Sequence, residues 1–163
     1  MATEYEGSVE QVHSAFRDER YWLARLSESG ADMYSLDSID CTDGSIDIVT
    51  TQTLRADRLP GVVTQFHRGD LSFVREETWT PVADGKTTAT VRGSITGAPA
   101  TLLGKAVLAP AKSGSGSRLD FRTTVEVSIP LVGGKIENFI GSQLVDLLIH
   151  EQRFTSAWIA ENA

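Results

Sequence analysis

The chain holds one cysteine, Cys41, and three scattered histidines, His13, His67 and His150. A lone thiol closes no internal disulfide, and this set cannot assemble a Cys/His zinc site. A reducing compartment fits, and neither a metal nor a cofactor is expected. Basic runs are also missing: no two Lys or Arg residues are adjacent, and 15 basic residues face 22 acidic ones, for a formal net charge of -7. Nucleic-acid phosphates and anionic membrane surfaces are held by concentrated basic patches, so the balance argues against both as partners. No stretch approaches the roughly 18 consecutive apolar residues of a membrane span. The opening Met-Ala-Thr-Glu-Tyr-Glu has neither a basic region nor an apolar run of signal-peptide length. The expectation is a cytoplasmic protein with no integral membrane association, kept soluble by its acidic surface as a monomer or homodimer. Catalytic signatures are absent as well: there is no Gly-x-Ser-x-Gly elbow, no phosphate-cradling Gly-x-x-x-x-Gly-Lys-Ser/Thr loop, no Gly-x-Gly-x-x-Gly and no His-Glu-x-x-His.

What is present is an ordinary globular composition. Apolar residues make up 40% and charged residues 23% of 163 residues, enough for one core in a single domain, 1–163. The 14 glycines and 5 prolines are dispersed, which excludes collagen-like and linker-like chains.

A short extended piece over 3–6 leads into Ser8-Val9-Glu10-Gln11, which has the form of a capping box. Val9, Val12 and Phe16, then Tyr21, Trp22 and Leu26, recur at helical spacing, and Asp18 is placed to cap a second helix. Gly30 closes the pair. From Asp32 onward the chain reads as runs of Val, Ile, Thr and aromatic residues separated by turn residues, the pattern of an antiparallel meander. Strands are predicted over 33–40, 45–55, 70–80, 87–97, 100–109 and 118–129. Turns fall at Asp43-Gly44, Asp84-Gly85, Gly97-Ala98-Pro99 and the Ser/Gly run 113–117. In the last strand Leu119, Phe121, Val125 and Val127 share one face and charged residues the other, so one face is buried and one is wet. In segment 59–66 Pro60 suits the first turn of a short helix or a tight loop, and with Val62, Val63 and Phe66 the segment reads as a packed connection or as a lid over an opening.

A long amphipathic helix is predicted over 134–161. At about 100° per residue, Ile136, Ile140, Leu144, Leu147, Phe154 and Trp158 fall in one stripe centred near Leu147. Gln143 and His150 project within about 60° of that centre, and Glu151 near its opposite edge. An amide and an imidazole there can orient a ligand oxygen, or they can simply bond to sheet backbone or water at the flank. The strand bearing Leu71, Phe73, Arg75, Glu77 and Trp79 puts two charges among three large apolar residues. The opposite face of that strand makes a poor core, which favours this face as the inward one. Arg75 and Glu77 would then form a structural ion pair or meet a polar guest, because burying either without a partner is costly. His13 and His67 are read as solvated, and Trp22 and Trp158 as core aromatics or as stacking surfaces for a ring-shaped guest.

The plan of short strand, two small helices, six strands and long helix resembles the START-like, helix-grip superfamily, which includes lipid-transfer domains, aromatic polyketide cyclases and the birch-pollen allergen group. Ser8-Val9-Glu10-Gln11-Val12, Tyr21-Trp22 and the run from Ile129 through Pro130, Gly133, Gly134 and Glu137 carry the likeness, and together they resemble an actinobacterial branch of unknown function. The resemblance implies an α+β fold in which a curved antiparallel sheet of six to seven strands wraps the C-terminal helix. It also implies a small hydrophobic guest, lipid-like or polyketide-like, between sheet and helix. It carries over no catalytic residue. The candidate ligand-binding residues are Gln143, Leu147, His150 and Phe154 on the helix, Phe73, Arg75, Glu77 and Trp79 on one strand, Phe66 in the lid and Phe121 in the last strand. Non-catalytic binding or transport is the leading reading. A cyclase- or hydrolase-type enzyme using the same cavity and a protein-interaction module are the alternatives.

Overall fold

The computed structural model describes residues 1–64, 68–96, 98–128 and 133–162. In chain order the elements are β1 (Ala2–Tyr5), α1 (Val9–Phe16), α2 (Glu19–Ser27), β2 (Met33–Thr42) and β3 (Ser45–Leu54). A 3-10 turn (Ala56–Arg58) and the short α3 (Gly61–Thr64) follow. Then come β4 (Leu71–Trp79), β5 (Thr87–Ile95), β6 (Ala100–Pro110), β7 (Ser117–Val127) and α4 (Gly133–Asn162).

Local chemistry sets these boundaries. Ser8 accepts a hydrogen bond from the Gln11 amide at 3.1 Å, while the Gln11 side chain accepts from the Ser8 amide at 2.8 Å, closing the capping box that starts α1. Asp18 accepts from the Arg20 amide at 2.9 Å and starts α2. The β2–β3 and β4–β5 connections turn through Asp43-Gly44 and Asp84-Gly85, all four residues at positive φ, the geometry that two-residue turns require to match strand twist.

The seven strands form one sheet in the order β1-β7-β6-β5-β4-β3-β2, with every neighbouring pair antiparallel. The α+β layout of six sequential strands, a seventh at the N-terminus and a long C-terminal helix is the one the sequence predicts. One face of the sheet, carrying Ile46, Ile48, Trp79, Val91, Leu102, Leu108, Leu119 and Phe121, packs with Val12 and Phe16 of α1 and Tyr21 and Trp22 of α2. Phe16 and Trp79 rings meet at 4.8 Å, and the Trp22 indole donates to the Phe16 carbonyl at 2.8 Å, so these aromatics are core. The charged face of β4 points inward: Arg75, Glu77 and Trp79 are all buried.

Two expectations change. His13 is buried rather than solvated, and its ring N–H donates to the Thr80 carbonyl at 3.1 Å; the turn of α1 that buries Val12 and Phe16 also faces it to the start of the β4–β5 connection. On α4 the fully buried positions are Ile136, Glu151, Thr155 and Ile159. The buried stripe is thus rotated by roughly 60° from Leu147, which moves Glu151 to its centre and His150 and Gln143 to its exposed margin. In segment 59–66 the short helix that Pro60 suits forms over Gly61–Thr64, while Phe66 and His67 lie outside the described residues.

Candidate functional site

Between the sheet and the first half of α4 lies a half-enclosed cavity of about 580 Å³. Leu71 and Phe73 of β4, Ile95 of β5, Ala100 of β6 and Val127 of β7 line the sheet side, and Ile136, Ile140, Leu144 and Leu147 line the helix side. Leu59, Pro60 and Val63, around α3, and Ala98 and Pro99, between β5 and β6, border it. The space exists because the two halves of α4 differ. The half after Glu151 packs against α1, α2 and the aromatic core, whereas the first half stands over inward residues that leave room below it. A Cβ on Gly93 would lie 2.6 Å from the Phe73 ring, so glycine there leaves room for this lining side chain against β5.

Phe73 and Leu144 also border a second, inner chamber of about 40 Å³, which continues towards the aromatic core. Its wall is of a different character, with Arg25, Arg75, Glu77, Trp79 and Glu151 beside Phe16, Leu102 and Phe121. The site therefore has an apolar outer part and a charged inner end.

The charges form one network. Glu151 Oε2 accepts from Arg25 Nε at 3.0 Å and from Arg75 Nη2 at 2.9 Å. Arg25 Nη1 donates to the Tyr21 hydroxyl at 3.2 Å, and its guanidinium stacks over Trp22 at 4.6 Å. Thr155 donates to the Glu151 carbonyl at 2.7 Å, which commits its proton, so the Tyr21 hydroxyl donates to Thr155 Oγ1 at 2.6 Å. Two guanidiniums thus share one carboxylate, and a second, Glu77, stands 3.4 Å from Arg75 Nε, outside hydrogen-bond geometry. Burial pushes the Glu77 carboxyl up to about 7. The Arg25 charge opposes that rise and Glu151 adds to it, while the neighbouring Trp79 indole N–H, which does not reach hydrogen-bond geometry, opposes it weakly.

The candidate residues distribute unevenly. Gln143, Leu147 and Phe73 line the outer cavity; Phe73, Arg75, Glu77, Trp79 and Phe121 line the inner chamber. His150 and Phe154 line neither. The His150 ring N–H donates to the Glu28 carbonyl at 3.0 Å, tying α4 to the end of α2, because the helix rotation carries it away from the sheet. Phe154 packs on Tyr21 with ring centroids 5.7 Å apart. At the inner chamber, Arg25 and Glu151 are polar lining residues that the sequence reading did not place. Signals existed for both: Tyr21, Trp22, Arg25 and Leu26 share a helical face, and inward Arg75 and Glu77 need an additional partner. Among the described residues no group of three or more His, Cys, Asp and Glu could hold a metal ion, and no helix is long and apolar enough to cross a membrane.

Residues 1–159 match the model of a family described as "Protein of unknown function (DUF2505)". Uncharacterized protein Rv0481c of Mycobacterium tuberculosis and uncharacterized protein Mb0491c of Mycobacterium bovis are each 51% identical over 167 residues, covering 99% of this chain and 96% of the relative. Among solved structures, TTHA0849 from Thermus thermophilus superposes with a TM-score of 0.58 at 12% identity, covering 100% of this chain and 97% of that one. A conserved protein from Geobacillus kaustophilus superposes with a TM-score of 0.56 at 15% identity, covering 98% and 93%. At these identities the structural likeness speaks for the fold alone.

Proposed function

The chain belongs to the DUF2505 family, and we propose that it is a START-like, helix-grip member that binds or carries a small hydrophobic molecule between its sheet and α4. The observation that carries this reading is the half-enclosed cavity of about 580 Å³, walled mainly by aliphatic and aromatic side chains from five strands and the helix. Pre-formed apolar clefts of a few hundred Å³ are the usual sites for small-molecule guests. Each methylene buried there contributes about 0.8 kcal/mol before the costs of binding. The ion-pair network gives the wall rigidity, since Glu151 joins α4 to α2 and β4 at once.

The fluorescent probe 1-anilinonaphthalene-8-sulfonate tests the reading. Saturable binding is expected to the wild type, displaced by 1-decanol, and at least tenfold weaker binding to Ile140→Trp, whose indole projects into the outer cavity from its helix wall. Equal probe binding by a folded Ile140→Trp variant, matched to wild type by circular dichroism, overturns the cavity as the site.

A further inference from the structure

The inner chamber presents polar atoms that the protein itself does not satisfy. Among the described residues, Arg75 Nε, Glu77 Oε2 and Trp79 Nε1 make no hydrogen bond, the first two standing 3.4 Å apart as an ion pair without hydrogen-bond geometry, although Arg75, Glu77 and Trp79 are only 6%, 7% and 3% exposed. Buried polar groups are paired in nearly all native structures, and each exception calls for a reason. All three residues line the same small chamber, which opens past Phe73 and Leu144 towards the apolar cavity. Two of these atoms are donors and one, as a carboxylate oxygen, is an acceptor. A hydroxyl group has the complementary inventory, one proton to give and two lone pairs to receive. We propose that the inner chamber is a subsite for one hydroxyl group of an apolar guest, which accepts from Arg75 and Trp79 and donates to Glu77. This rests on the cavity being a guest site.

Charge favours a hydroxyl over a carboxylate. The groups facing Glu77 are Arg25 from α2, Tyr5 from β1, Arg75 and Trp79 from its own strand, and Glu151 from α4. Arg25 and Arg75 balance Glu151 and an ionised Glu77, so a neutral guest leaves the network neutral. An acidic guest would instead force Glu77 to take up a proton. The two guests therefore have opposite proton linkage near pH 7, where Glu77 titrates. A hydroxyl that donates to Glu77 holds it ionised and releases protons on binding.

The test is calorimetric titration of the full chain with 1-decanol, with 1-methoxynonane, which has the same number of heavy atoms and no donor, and with decanoate. We expect 1-decanol to bind at least tenfold tighter than the ether at pH 8, although apolar burial alone favours the ether. At pH 7 in two buffers of different ionisation enthalpy, binding of the alcohol releases protons. Trp79→Phe shrinks the preference for the alcohol severalfold, read as the ratio of the alcohol's affinity to the ether's in the same variant, with circular dichroism matched to the wild type reporting an intact fold. Equal binding of alcohol and ether overturns the subsite and leaves the cavity reading standing. Tighter binding of decanoate, with proton uptake, overturns the hydroxyl assignment in favour of an acid. Binding of none of the three overturns the subsite and the cavity reading together.

Discussion

Glu77 shows how a single side chain can make stability depend on pH. Its folded carboxyl, pushed up to about 7 by burial, stands against an ordinary value of 4.5. The stabilisation tied to its neutral form is complete below about 4.5 and is lost as pH rises through 7, because the unfolded chain ionises more readily than the folded one. A shift of this size corresponds to at most about 3 kcal/mol. Glu77→Gln, which keeps the neutral shape, is expected to match wild type in urea unfolding at pH 4 and to exceed it by up to about that amount at pH 8. Parallel pH profiles for the two proteins would remove Glu77 as the titrating group. His150, in contrast, is engaged with the Glu28 carbonyl, which makes it a tie between helices.

At the scale of elements, α4 and β5 shape the cavity. The buried stripe of α4 runs through Leu144, Glu151 and Thr155, so the helix presents an aliphatic surface to the outer cavity and a carboxylate to the inner chamber two turns later. On β5, Gly93 sits under the Phe73 ring at a distance no Cβ tolerates. Gly93→Ala must push the ring towards the boundary between cavity and chamber, with Leu102 Cβ at 3.3 Å closing off the other side. Overpacking of this kind costs about 1–3 kcal/mol. Chemical denaturation is expected to register that loss, and titration with 1-decanol a weaker affinity. Unchanged affinity would show that Phe73 yields away from the guest path.

For the whole molecule, Glu151 is the point where distant parts of the chain meet. Its contacts with Arg25 and Arg75 span 126 and 76 residues, linking an early helix, the middle of the sheet and the last helix. Removing one partner of a buried ion pair strands the other charge, at a cost of about 3–5 kcal/mol. Glu151→Ala leaves two guanidiniums without their shared carboxylate, so we expect a loss in that range by urea unfolding, monitored by Trp fluorescence. A loss below about 1 kcal/mol would mean that water reaches the network and solvates the arginines.

Much of the fold was legible in the sequence because its signals are local. The capping box at Ser8, the Asp-Gly turns and the alternation of 117–127 each depend on a few neighbouring residues, and the structure follows them closely. Strand ends moved by at most two residues. The inward face of β4 was also readable, since its opposite face could not have formed a core. The rotation of α4 was not: apolar residues on that helix span a wide arc, so periodicity alone does not fix which side is buried. What selects one rotation is the demand of Arg25 and Arg75 for a carboxylate, together with the Tyr21 and Thr155 hydroxyls. By itself the sequence determined the order of elements, the α+β class and the amphipathic character of the last helix, because each follows from periodicity and turn chemistry within short windows. Only the tertiary structure decided that Glu151, rather than His150, faces inward and that an apolar cavity ends in a charged chamber. Those features arise from contacts between residues scores of positions apart, which no local pattern encodes.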